Sequence, residues 1–68
     1  MTHTDIKTAR NALGLSISQM AVMLDTDETS MRRMEMDPSR STARKPAPRM
    51  IRLLVAYLDG YRPADWPI

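Results

Sequence analysis

The chain has no cysteine, one histidine, three aromatic residues and two glycines among 68 residues. Each scarcity excludes something. Without cysteine there is no disulfide and no thiolate metal site. The single histidine, His3, falls in a segment expected to fray, so it offers no metal or catalytic centre. Two isolated glycines make no phosphate-cradling loop. No acid–base pair or activated nucleophile can be assembled. The expectation is therefore a non-enzyme with no cofactor, no metal and no evident small-molecule ligand. Long apolar runs are also missing. The most apolar stretch, residues 51–58, is interrupted by Arg52 and falls short of the ~18 apolar residues that a membrane span requires. The opening MTHTDIKTAR lacks the basic-then-apolar layout of a signal peptide. A cytoplasmic location follows as the expectation, nucleoid-associated if the partner is DNA.

What is present is a small helical pattern with a localised charge. A chain this short buries only roughly 60% of its unfolded surface. With disulfides and metals excluded, the expected reinforcement is a second copy of the chain. Net charge is only +2, but residues 32–52 hold seven basic side chains against two acidic ones, leaving the rest net acidic. Such a patch suits a polyanion, although a solvated charged surface has the same composition.

The pattern predicts four helices, at about 5–13, 17–25, 28–36 and 48–59, with a basic loop at 37–47 and an aromatic tail at 60–68. In the first, Thr4 is the expected N-cap, Ile6, Ala9 and Leu13 form the apolar stripe, and Gly14 ends it. Ser16-x-x-Gln19 is a capping box, with Leu15 and Met20 placed for a hydrophobic staple. Ile17, Met20, Ala21 and Leu24 then face the core. Asp27 caps the third helix, Met31 and Met34 point inward, and Pro38 ends it. The short connection forces the second and third helices to cross at a large angle. The loop DPSRSTARKPA is basic and lacks large apolar groups, so it could stay disordered until a partner binds. Pro48 suits the first turn of the fourth helix. There Met50, Ile51, Leu54, Val55 and Leu58 are expected to cover the core. Leu53, Tyr57 and part of Ala56 exceed one stripe, which points to burial by a second subunit. Tyr61 and Trp66 are expected to pack across the fourth helix or at that interface. The methionines recur at helical spacing as core residues rather than metal ligands.

Residues 13–35, LGLSISQMAVMLDTDETSMRRME, resemble the Cro/C1-type (XRE-like) helix-turn-helix family of phage and bacterial repressors, without a gap. Gly14, Ala21, Leu24, Met31, Arg33 and Glu35 carry the match, and the resemblance extends over roughly residues 5–58. Four positions depart from the family pattern. Asp25 replaces the usual turn glycine, Thr26 a buried valine or isoleucine, Ile17 a phosphate-binding glutamine and Met34 a tryptophan. Within the family, MRRM, RKPAPRMIRLL and GYRPADW look like the small repressors encoded beside anti-CRISPR genes.

The resemblance implies an all-α fold, a small four-to-five-helix lambda-repressor-like helix-turn-helix domain. It also implies a homodimer on double-stranded DNA carrying an inverted repeat. The third helix would enter the major groove. Its outward residues Glu28, Thr29, Ser30, Arg32 and Arg33 would be the base readers. Arg33 is the first choice, since arginine binds guanine bidentately, with a phosphate contact as its other role. Glu28 would either accept from cytosine or support the helix and orient Arg32. Ser30 has a competing role at the helix cap. Ser18, Gln19, Arg40, Arg44 and Lys45 would contact phosphate or the minor groove. Arg10 and Glu35 would form a structural pair, and Leu53, Tyr57, Tyr61 and Trp66 the dimer interface. The competing reading is a protein-binding module, antitoxin-like or inhibitory, on the same fold.

Overall fold

A computed structural model describes residues 3–37 and 39–68. Among them are four helices and no strand: α1 (His3–Ala12), α2 (Ile17–Met23), α3 (Glu28–Met34) and α4 (Pro48–Leu58). The fold is thus small and all-α, compatible with a helix-turn-helix. No described helix is long and apolar enough to cross a membrane.

Three helices end in the same way. After α1, Leu15 N–H reaches the Arg10 carbonyl (3.1 Å) and Gly14 N–H that of Asn11 (3.1 Å). After α2, Thr26 N–H reaches Ala21 (2.8 Å) and Asp25 N–H reaches Val22 (3.1 Å). After α4, Tyr61 N–H reaches Ala56 (3.0 Å) and Gly60 N–H reaches Tyr57 (3.0 Å). Each is a Schellman motif, whose pivot residue takes a left-handed conformation. Glycine supplies two pivots, with φ +73° at Gly14 and +105° at Gly60. Asp25 supplies the third at φ +57°. A side chain there costs about 1 kcal/mol. Asp25→Gly is therefore expected to stabilise the fold by roughly that amount, raising the melting temperature by about 4–8 °C. An unchanged or lowered melting curve would show that the Asp25 side chain compensates its own strain.

The helix starts differ in strength. α1 spans His3–Ala12, so Thr4 lies inside the helix rather than capping it. α2 has the full capping box: Gln19 N–H donates to Ser16 Oγ (3.1 Å) and Ser16 N–H to Gln19 Oε1 (2.9 Å). α3 is capped by Asp27, and α4 starts at Pro48 with no side-chain cap. α3 stops at Met34, with Glu35 as its C-cap, whereas Pro38, the expected terminator, lies outside the described residues.

The core draws on every helix: Ile6 and Ala9, then Leu15, then Met20, Ala21, Met23 and Leu24, Met31 and Met34, and finally Leu54 and Tyr57. Met20, Met31 and Leu54 are its largest fully enclosed side chains. An unbranched thioether adapts to the irregular gap where short helices cross, so methionine serves as core filler here.

α4 corrects the expected face. Leu54 and Tyr57 are buried, with Met50 and Leu53 packed against the core, whereas Val55 and Leu58 are 44% and 46% exposed. Two apolar stripes compete on this helix, and Tyr57 decides between them. Its ring buries more area than any aliphatic alternative, and its hydroxyl donates to the Met23 carbonyl at 2.8 Å. Burial, then the charge of Asp65, pushes the Tyr57 phenol above its ordinary range, so it remains a donor. Tyr57 is therefore a core residue and is withdrawn from the dimer interface.

The tail packs on that same ring. Tyr61 stacks parallel to Tyr57 at 6.0 Å, and Trp66 meets it edge-on at 5.1 Å. Arg62 lies 4.3 Å over the Trp66 ring and donates to the Tyr57 and Tyr61 carbonyls, each at 2.8 Å. The chain ends near the α1–α2 turn, where Ile68 Cδ1 would lie 3.5 Å from a Cβ added to Gly14. Leu53 and Trp66 are thus half-buried against the core of their own chain, and only Tyr61 of the expected interface set is well exposed.

Candidate nucleic-acid interface

The outward side of α2 and α3 is built from the two caps. The capping box fixes the start of α2, and Ser18 in its first turn faces the start of α3. Ser18 Oγ donates to Glu28 Oε2 at 2.8 Å. The other oxygen of Glu28 pairs with Arg32 Nη2 one turn further along α3. Ser18, Glu28 and Arg32 thus form one bridge across both helices. Glu28 bonds both Ser18 and Arg32 within the chain, the geometry that its orienting role requires. Such an exposed pair adds little stability, but it fixes where the Arg32 guanidinium lies. Thr29 and Arg33 are exposed on the same helix.

Ser30 is elsewhere. It is 5% exposed, its N–H donates to Asp27 Oδ2 (2.9 Å) and its hydroxyl to Asp27 Oδ1 (2.6 Å). The Ser30 hydroxyl and N–H beside the Asp27 carboxyl hold its pKa below the ordinary range. Ser30 cannot read a base edge from this position, because the cap turns its hydroxyl inward. The cap role that competed for it in the sequence is the one it fills.

Arg44 is also drawn in. Its Nη1 donates to Ser30 Oγ (2.8 Å), and its N–H to the Arg33 carbonyl (3.0 Å). Both bonds tie the end of the basic loop to α3. The described part of the loop is further shaped by turns: Arg40 N–H reaches the Asp37 carbonyl at 3.0 Å, Ser39 N–H the Asp37 carboxylate at 2.9 Å, and Ala43 N–H the Arg40 carbonyl at 3.1 Å. The described part of the loop, which could have stayed disordered until a partner bound, is tied to α3 through Arg44. Arg40, Arg44 and Lys45 are all exposed, Arg44 despite its two bonds to α3.

A cleft between the loop, α3 and α4 is lined by Asp27, Arg44, Lys45 and Arg49. Arg49 was counted in the basic segment but given no role. Its signal was available, because the first turn of α4 begins only three positions after Lys45. Arg62 was missed altogether, since its partners are backbone carbonyls and an aromatic face that sequence spacing does not bring together.

Behind this surface Arg10 and Glu35 join α1 to the end of α3. Arg10 Nε lies 3.0 Å from Glu35 Oε2 and 3.2 Å from Oε1, and Nη2 lies 3.0 Å from Oε1. Nη1 donates to the Leu15 carbonyl at 3.1 Å. The side chains are 13% and 8% exposed, so the pair is largely dry. It sets the angle of α3 rather than adding to the polar surface.

Compared with protein-family models, curated proteins and solved structures, the chain matches none. Among the described residues no cluster of histidine or acidic side chains could hold a metal ion. The outer side of α2 and α3 carries guanidinium, hydroxyl and amide donors together with the Glu28 carboxylate.

Proposed function

We propose that the protein is a sequence-specific DNA-binding repressor that acts as a homodimer on an inverted repeat. The observation that carries this reading is the outer side of α3. Thr29 and Arg33 are exposed there, Arg32 is held by Glu28 and Ser18, and the basic loop is tied alongside by Arg44. α3 would lie in the major groove, with Arg33 on a guanine. Ser18, Gln19, Arg40 and Lys45 would contact the backbone around it, joined by Arg49. Arg44 would support the loop before it reaches phosphate, and Glu28 would orient Arg32. Repression would follow from covering promoter elements. The likeness to the small repressors encoded beside anti-CRISPR genes adds a narrower proposal, an autorepressor of an anti-CRISPR operon working at the nucleoid in the cytoplasm.

The test is a footprint on the DNA upstream of its own gene, followed by titration of the protected fragment at several salt concentrations. A protected inverted repeat is expected. Affinity should fall with salt at a slope of about −0.9 per phosphate contact. A flat salt response, or no retardation of any fragment, would remove the DNA reading. The protein-binding module would then be preferred, since Arg32 and Arg44 already have partners within the chain.

A further inference from the structure

The outer face of α4 remains uncovered by its own chain. At 100° per residue, Val55 sits roughly 150° from the stripe of Met50, Leu53, Leu54 and Tyr57 that the core and tail cover. Val55 and Leu58 are 44% and 46% exposed, Ile51 is partly exposed, and Arg52 and Asp59 are exposed. Around Val55, Ile51 and Leu58 lie about 40–60° to one side, and Arg52 and Asp59 about 40–60° to the other. Asp59 keeps this position because, as the C-cap, it retains right-handed helical torsions.

This layout is self-complementary under one symmetry alone. A two-fold axis through Val55, perpendicular to the helix, pairs two copies of α4 antiparallel and keeps each lateral side on its own side. Ile51 then meets the partner's Leu58, Arg52 meets the partner's Asp59, and Val55 meets its counterpart on the axis. A parallel pair would exchange the sides and set Ile51 against the partner's Arg52. The N-terminal end of the face also has a matching socket. Pro46, Pro48 and Ile51 form an apolar groove with Lys45 and Arg52 at its rim. It suits a leucine followed by a carboxylate, which is what residues 58 and 59 present. DNA would gain nothing from Val55 and Leu58 and would be repelled by Asp59.

We infer that this face binds a second copy of the chain, α4 against α4 antiparallel, with Leu58 and Asp59 of each copy seated in the groove of the other. This replaces Leu53 and Tyr57 as the dimer contact. It deepens the homodimer of the proposed repressor and is measured without DNA, so the two readings can fail separately. The face is small. Eleven residues of helix span about 16 Å, too little for the ~800 Å² per partner of a standard interface. The dimer is therefore weak in free solution, with a dissociation constant on the order of micromolar or above. It gains strength when both copies are held on one duplex, where pairing becomes effectively intramolecular.

Sedimentation equilibrium of the full chain, from about 10 μM to 1 mM, should show a reversible monomer–dimer equilibrium. Val55→Arg sets like charges on the axis and should leave monomer alone. Arg52→Asp and Asp59→Arg should each weaken association by about tenfold or more, and the double variant should return to within about threefold of the wild type. All four should keep the wild-type circular dichroism spectrum. A wild type that stays monomeric throughout overturns the inference, as does a dimer that Val55→Arg leaves intact. Single variants that weaken without mutual rescue overturn the antiparallel register. A chain that dimerises as described but binds no DNA removes the repressor and leaves this interface standing.

Discussion

Arg10→Ala is expected to be the most destabilising single change at the candidate interface, removing about a third or more of the folding stability. The substitution strands the Glu35 carboxylate, 8% exposed, and takes a donor from the Leu15 carbonyl. Breaking a buried pair from one side costs about 3–5 kcal/mol, because the remaining charge stays desolvated and unpaired. A domain of this size has roughly 3–10 kcal/mol in total. The loss also falls where it matters for packing, at the joint between α1 and the end of α3. Removing both charges behaves differently. Arg10→Met with Glu35→Leu should recover most of the loss, since apolar replacements leave no buried ion behind. Urea titrations followed by circular dichroism measure both. A cooperative Arg10→Ala transition close to that of the wild type would mean that water reaches Glu35 and the pair is not dry.

Arg33→Ala should have the largest effect on operator binding with no effect on folding. Its side chain is exposed, so its removal leaves no cavity. If it binds guanine O6 and N7, each half-site loses about 1–3 kcal/mol. A dimer on two half-sites loses roughly 2–6 kcal/mol, or about thirtyfold to twenty-thousandfold in affinity. Binding to a scrambled duplex should change little. Arg33→Lys separates the two roles of this residue. Lysine keeps the charge and loses the planar fork. It should rescue a phosphate contact and fail to rescue a guanine contact. The salt dependence gives a second discriminator, because a lost phosphate contact lowers the slope by about 0.9 at each half-site. Equal losses on operator and scrambled DNA, with full rescue by lysine, would move Arg33 from the bases to the backbone.

The two variants fail for different reasons, and that difference marks how far the residues could be read in advance. Local signals were legible. The capping box at Ser16 and Gln19, the Asp27 cap, the stops at Gly14 and Gly60 and the proline at the start of α4 each depend on neighbours within a few residues. The inward methionines followed from helical spacing alone. Arg10 and Glu35 lie 25 positions apart and were paired only by resemblance. No local rule could do so, because the partner of a long side chain is set by the angle at which helices cross.

The candidate surface was legible as a set of residue types and not as an arrangement. Ser30 occupies an outward-looking register in α3, yet the cap bond to Asp27 and the reach of Arg44 turn it inward. Glu28 was ambiguous until Ser18 came within hydrogen-bond distance from another helix. The basic loop lacked apolar anchors, but two hydrogen bonds from one arginine tie it to α3.

The sequence by itself determined the helices, their caps, the methionine core and the segment that carries positive charge, because all of these depend on composition and short-range spacing. Only the tertiary structure decided which side of α4 is covered. Two stripes of comparable hydrophobicity ran along that helix. The choice went to the one whose tyrosine could bury its ring, reach the Met23 carbonyl and be sheathed by the tail. The stripe left over faces outward at Val55 and Leu58, with Ile51 at its half-buried edge.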